Sequence, residues 1–459
     1  MIPRTHIVLV PGFGGFDALG SLEYYTGVTE LLRGGDRQAF ISVHYFPNFP
    51  TASVATRAKA LLEWLAKLFR RGILQPLAGG FPGDNVHLVG HSTGGMDIQH
   101  LMLDLMAPTE KDTSILGIPA RSIRQSLRSI QFLSTPHHGT TLAHYVGRNE
   151  MWIRRMFGAV YETDRALRGK AVSNAARGVA RLGRPEGVFR AILDSAKRCD
   201  APKGDGLAQA DARGVYFDTL RWLLHISNDF KAISDLDPYG TTAPRMSAGA
   251  WRRREQEATA FRAKTRSARL PEDRVELFSQ QVPADLSLVS QPEIQSVVKD
   301  YYQEDVALRS IVTVATPEAG APALDPFKLV HGITARKLPA PKTERERSSQ
   351  EQLAKSYSLQ TLQSWVDGGP PQRVEIGPSD NDGIVNSVSM VWPDAQRSLL
   401  VRGDHGDIIG HYAYRDPTDI DEHCRYDLLR CAEGFDAPRF QMVWTSIREF
   451  ALASEPGPT

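Results

Sequence analysis

The sequence predicts an α/β protein: a mostly parallel sheet flanked by helices, interrupted by a large helical insertion. Three observations lead there. Apolar strand-like runs alternate with helical patterns from His6 to Leu133 and resume at Leu308. One strand-turn-helix unit, Val86–Met106, carries Gly90-His91-Ser92-Thr93-Gly94 at its turn. A glycine-rich loop, Pro11-Gly12-Phe13-Gly14-Gly15, leaves the first strand.

The whole chain sets outer bounds. At 459 residues it is long enough for a large core and, by length alone, for two or three domains. A net charge of +1 gives no electrostatic reason to expect nucleic acid as a partner. Cys199, Cys424 and Cys431 make no disulfide framework and have no metal-site spacing, although a Cys424–Cys431 pair stays open. Met1 runs directly into a strand without a Sec leader, so the expectation is a cytoplasmic protein, or a secreted one whose leader was removed or that uses a non-Sec route. No apolar run approaches the roughly 20 residues that span a bilayer. Oligomeric state is not legible.

Taken in order, His6–Val10 is the first strand. Its loop brings main-chain N–H groups close to a ligand, either as a flexible turn or as half of an oxyanion hole in which the Phe13 amide joins that of Thr93. Ala39–Phe46 reads as the next strand and Thr51–Arg71 as a helix with Leu61, Leu62, Leu65, Leu68 and Phe69 on one face. Val86–Val89 then enters the Ser92 turn, where glycines on both sides allow a reversal too tight for β-carbons. The following segment, Met96–Met106, is helical; an amide at its start favours developing negative charge. Leu127–Leu133 is another strand, ending at Ser134-Thr135-Pro136-His137-His138-Gly139-Thr140. Active residues in such a sheet belong on loops at the carboxyl ends of strands.

From about Gly147 to Gln303 the rhythm changes to helix-rich, arginine-rich sequence, including Trp152–Tyr161, Val188–Lys197, Phe217–Ile226 and Ala250–Thr265. Strand pattern returns at Leu308–Ala315. The expected organisation is therefore a first core segment, 1–146, a helical lid or cap insertion, 147–303, and a second core segment, 304–459, with a polar exposed excursion over 334–356. The arginines of the insertion read as a solvated surface, with an anionic-ligand site as the alternative.

A serine hydroxyl is a weak nucleophile at neutral pH, so Ser92 needs a histidine to take its proton and a carboxylate to hold that histidine. After Val374–Ile376, Asp382 stands before Gly383 in a tight turn, with Asp380 as the alternative acid. After Leu399–Val401, His405 lies on a glycine-bracketed loop, with His411 as the alternative base. The chain order nucleophile, acid, histidine is that of the strand-turn-helix serine hydrolases.

These motifs resemble the α/β-hydrolase superfamily and, within it, the bacterial triacylglycerol lipases of the thermoalkalophilic branch. The likeness covers roughly 5–145 and 305–415 and rests on Val8–Gly14, Gly90–Gly94, Thr135–Thr140, Ile233–Pro238, Asn381–Met390 and Asp404-His405-x-Asp407-x-Ile409-Gly410. Pro11-Gly12-Phe13 stands where His-Gly-Phe is usual, and Gly90 where alanine is frequent. The resemblance implies an acyl-transfer hydrolase of ester or lipid substrates, needing no cofactor for its chemistry, with Ser92, Asp382 and His405 catalytic and Phe13 and Thr93 forming the oxyanion hole. It also implies a structural calcium near Asp407, Asp416 and Pro417, although about four extra residues intervene here. The family's zinc histidines have no counterpart. A lipid-lining role for Trp152, Phe157, Phe189, Trp222, Leu223 and Leu224 competes with their forming the insertion's own core. A phospholipase or acyltransferase would use the same triad, and a non-catalytic lipid- or protein-binding module could keep the fold.

Overall fold

A computed structural model of the chain describes residues 3–13, 15, 18–19, 22–34, 41–48, 52–77, 83–106, 114–147, 235–238, 292–321, 326–364, 371–412, 429 and 431–455. Eight strands form one sheet: β1 Thr5–Val10, β2 Ile41–Tyr45, β3 Asn85–His91, β4 Leu127–Leu133, β5 Ala307–Val314, β6 Gln360–Ser364, β7 Gln372–Ile376 and β8 Ser398–Arg402. Their spatial order is β7-β6-β8-β5-β4-β3-β1-β2. Every neighbouring pair is parallel except β6 and β7. This is the α/β-hydrolase arrangement, and the expected fold class holds.

Both faces of the sheet are covered, as parallel strands require. On β1 the side chains alternate: Val8 and Val10 enter one apolar cluster, Ile7 and Leu9 the other. The first cluster is closed by helices α2 (Val54–Arg70), α3 (Thr93–Met106), α4 (Ala120–Ser126) and α6 (Pro292–Tyr302). The second is closed by α1 (Val28–Arg33) and the C-terminal α9 (Ala437–Ala453). A third, smaller cluster joins Val312, Leu362, Ile376 and Leu400 to Val385, Val388 and Met390.

Several element boundaries differ from the sequence expectation for physical reasons. The helix α2 starts at Val54 rather than Thr51, because Ser53 caps it by accepting the Thr56 N–H. Leu62 is only partly buried. Helix α3 starts at Thr93, directly after Ser92, rather than at Met96. Residues 39 and 40 lie outside the described residues, as do the four named helical stretches of the insertion and Cys199 and Cys424.

Two described pieces of residues 147–303 pack onto the sheet and its helices. Asp235 accepts the Val54 N–H at the head of α2 (2.9 Å), and Asp237 pairs with His144 (2.9 Å) on α5 (Thr141–Gly147). Helix α6 places Val297, Val298 and Tyr302 in the same cluster as α3, and the Tyr302 hydroxyl donates to the Met102 carbonyl (2.9 Å). Downstream, α7 (Pro326–Thr334) leads into the polar excursion, which includes helix α8 (Glu344–Ser356). A Thr343–Glu346 capping box starts α8: Glu346 accepts from Thr343 N–H while its own N–H donates to the threonine hydroxyl. Among the described residues no helix is long and apolar enough to cross a membrane.

Helix α9 bears on the histidine loop. Trp444 is fully buried, and its indole N–H donates to the Ile408 carbonyl (2.9 Å). Trp444→Ala is expected to cost about 3–5 kcal/mol in urea denaturation; a loss under about 1 kcal/mol would show that α9 is not docked as described.

Candidate active site

Strand β3 delivers Ser92 to the carboxyl end of the sheet with φ of 54°, a left-handed conformation unusual for a side-chain-bearing residue. The elbow then enters α3 without a linker. A β-carbon on Gly94 would stand 2.2 Å from the Val10 carbonyl oxygen and 2.7 Å from that of Pro11. One on Gly90 would meet the Gly95 Cα at 2.7 Å. The glycines of the turn are thus required by close approach to the first-strand loop and to the helix itself.

That loop is held rather than slack. Tyr25 donates to the Val10 carbonyl (2.7 Å), and Asn48 and Arg57 both donate to the Pro11 carbonyl (3.0 Å each). Arg57 is in turn paired with Asp97 on α3 (2.7 Å), both side chains fully buried. The Gly12 N–H donates to the Tyr24 hydroxyl (2.8 Å). A β-carbon on Gly12 would come 2.6 Å from that of Ser92, so Phe13 follows directly on the residue packed against the serine. Thr93, fully buried, is the first residue of α3.

Asp382 and His405 meet. The His405 Nδ1 and Asp382 Oδ2 are 2.7 Å apart, and the His405 main-chain N–H donates to the Asp382 carbonyl (3.1 Å). Asp382 is wholly buried, and its carboxylate is saturated: Oδ1 accepts the N–H groups of Ile384 (3.0 Å) and Val385 (2.8 Å), while Oδ2 also accepts the Thr313 hydroxyl (2.7 Å). The carboxylate accepts a hydrogen bond from the Nδ1–H of His405, which leaves Nε2 as the nitrogen free to take up a proton. Thr313 spends its proton on Asp382, which makes Ser134 the donor in the 2.7 Å contact between their hydroxyls. Asp380, the alternative acid, instead accepts the Gly377 N–H in a turn (2.8 Å). His411, the alternative base, is buried and bonded to the Tyr24 main chain.

The route to Asp382 departs from the expected rule. Strand β7 runs antiparallel, and Ile376 pairs with Gln360 at the start of β6. The following segment must therefore cross back to the carboxyl end of β5, where the Ala315 N–H donates to the Asn381 carbonyl (3.0 Å). Asp382 reaches the carboxyl edge of the sheet by a return loop, not at the end of its own strand.

The residues the sequence reading left out are Thr313, Ser134, Tyr24 and His91. Their local signal is faint: a threonine in the apolar run of β5, a serine after β4, the first of two adjacent tyrosines, and the residue preceding Ser92.

The calcium expectation is only partly in view, since Asp416 and Pro417 lie outside the described residues. Asp407 Oδ2 accepts the Asp404 N–H (2.8 Å) and faces the Cys431 thiol (3.6 Å). Asp404, Asp407 and Cys431 cluster closely.

No protein-family profile matches the chain, and no curated protein matches it in sequence. Among solved structures, lipase 1 from Pelosinus fermentans is similar over 100% of both chains at 15% identity and a TM-score of 0.45. EstA from Clostridium botulinum is similar over 98% of this chain and 87% of its own, at 17% identity and a TM-score of 0.45. Staphylococcus hyicus lipase is similar over 98% and 95%, at 15% identity and a TM-score of 0.40.

Burial sets a pH response for the fold. His138 and His411 are each held down to about 4 from an ordinary 6.5 by desolvation of the cation, and burial likewise pushes His91 and His137 well down. These groups are neutral in the fold but protonate below pH 6.5 when unfolded. Stability is therefore full above pH 6.5 and lost on acidification towards pH 4, by up to about 1.4 kcal/mol per pH unit for each histidine. Urea midpoints measured at pH 7.5, 6 and 5 should fall in that order; a flat series would contradict these burials. Thr313→Val leaves both Ser134 and Asp382 a partner short and is expected to cost about 1–3 kcal/mol by the same measurement.

Proposed function

We propose that the chain is a serine carboxylic-ester hydrolase, a lipase or esterase acting through Ser92, His405 and Asp382. The observation that carries this reading is the left-handed Ser92 at the head of α3, next in sequence to His91, whose ring lies 4.6 Å from that of His405, the histidine whose Nδ1 is 2.7 Å from the buried Asp382 carboxylate. An ordinary glycine-rich turn needs neither the left-handed serine nor the tethered imidazole.

The reaction runs in two steps. His405 Nε2 takes the Ser92 proton as the serine oxygen attacks the ester carbonyl, and Asp382 stabilises the imidazolium. The Phe13 and Thr93 amides receive the oxyanion, each lowering the barrier by about 3 kcal/mol. Collapse of the tetrahedral intermediate breaks the ester C–O bond, and His405 returns its proton to the departing alcohol. Water, deprotonated by His405, then attacks the acyl-serine, and as the acyl C–O bond breaks His405 returns that proton to the Ser92 oxygen and the carboxylic acid departs. The substrate is an ester or lipid, and no step uses a metal or cofactor.

A p-nitrophenyl ester series from short to long acyl chains tests this on the wild type and on Ser92→Ala, His405→Ala and Asp382→Asn. Ser92→Ala is expected to lose about 10³-fold or more in kcat, with losses of similar order at the other two positions. A long-chain optimum identifies a lipase and a short-chain optimum an esterase. Folded wild-type protein that hydrolyses none of the esters, or hydrolysis indifferent to Ser92→Ala, would overturn the reading.

A further inference from the structure

One partly buried hydrogen-bonded path crosses the active edge from the oxyanion loop to the histidine loop. Gly12 N–H reaches the Tyr24 oxygen at 2.8 Å, the Tyr24 oxygen lies 2.7 Å from His91 Nδ1, and His91 Nε2 lies 3.0 Å from the His405 carbonyl oxygen. Its proton positions follow from chemistry. A carbonyl only accepts, so His91 Nε2 carries a hydrogen. His91 is neutral, because burial and the neighbouring His405 and His411 hold its pKa well below the ordinary value. Its Nδ1 is therefore a bare acceptor and the Tyr24 hydroxyl must donate to it, which leaves the tyrosine oxygen to accept from Gly12. Each donor has one acceptor, and the direction is unambiguous.

The path touches each part of the site at an adjacent residue. Gly12 precedes Phe13, His91 precedes Ser92, and the far end is His405 itself. The rings of His91 and His405 also lie against each other, 4.6 Å between centroids. Tyr24 is fixed in turn by His411, which bonds its main chain, and by edge contact with Tyr25, the residue that holds the Val10 carbonyl.

We propose that Tyr24 and His91 are positioning residues that set the distance between the oxyanion loop and the catalytic histidine across Ser92. The bridge acts through the Gly12 amide and the His405 carbonyl and touches no reacting atom. It rests on the ester-hydrolase reading above. Because charge stabilisation and proton transfer both need sub-ångström placement, loosening the bridge should slow the chemical step and leave ground-state binding nearly untouched.

Steady-state kinetics on the best p-nitrophenyl ester test this with Tyr24→Phe, His91→Gln, His91→Leu and the Tyr24→Phe/His91→Leu double variant, each checked by thermal melting. Tyr24→Phe removes one oxygen and is the variant surest to fold. Its kcat is expected to fall about 10- to 100-fold, with KM within about twofold and the melting temperature within a few degrees. His91→Gln, which retains an amide donor for the His405 carbonyl, should keep more kcat than His91→Leu. The double variant should lose no more than the worse single one, since both break one bridge. Unchanged kcat in Tyr24→Phe, multiplicative losses in the double variant, or losses that track the melting temperature would each overturn the proposal while the wild type remains an active hydrolase. Absence of Ser92-dependent hydrolysis in the wild type would instead bring down the underlying reading, and the bridge with it.

Discussion

A carboxylate removed from water must be given donors in the protein, and the rest of this site is arranged around that demand. Asp382 has no exposed surface, and its two oxygens accept two main-chain amides, the Thr313 hydroxyl and the His405 imidazole. Those partners come from the Asp382 turn itself, from the end of β5 and from the loop after β8. Satisfying one charge therefore ties loops that are far apart in sequence. It also selects the His405 tautomer, because the only useful thing Nδ1 can offer a carboxylate is a proton. The remaining imidazole nitrogen is thereby an acceptor.

The second constraint is steric. Helix α3 begins so close to the first-strand loop that Gly94 has no room for a side chain against the Val10 and Pro11 carbonyls. Those carbonyls, turned towards the helix, are the ones Tyr25, Asn48 and Arg57 satisfy. Burying the Arg57 guanidinium there is tolerable only because Asp97, one turn into α3, neutralises it at 2.7 Å. Elbow and loop are thus locked by packing and by charge together. The Tyr24–His91 bridge adds a third tie, to the histidine loop, and Trp444 fixes that loop from below through Ile408.

Much of this was legible because it is local. The apolar run of β1, the strand-turn-helix pattern around Ser92 and the glycine after Asp382 are short-range signals, and the elements lie where they point. Spacing alone leaves Asp382 and Asp380, and His405 and His411, as open pairs; in the fold Asp382 and His405 meet at 2.7 Å, while Asp380 accepts the Gly377 N–H in its own turn. The start of α3 was read three residues late because Gly94 and Gly95 disfavour helix; tight packing overrides that propensity. The antiparallel sense of β7 was not legible, since Gln372–Ile376 alternates the same way in either direction. Thr313, Tyr24 and His91 were missed because their partners are from 12 to 314 residues away in sequence. A side chain's role in such a network is a property of the folded contact, not of its neighbours in the chain.

The most direct test of the central claim is mass spectrometry of the intact protein after exposure to a fluorophosphonate, followed by peptide mapping. A hydroxyl with an unactivated proton does not attack phosphorus at a useful rate, so the reagent reports the Ser92–His405–Asp382 arrangement without assuming any ester substrate. One adduct per chain is expected, on Ser92, absent in His405→Ala. An unmodified folded protein, or an adduct on another serine, would contradict it.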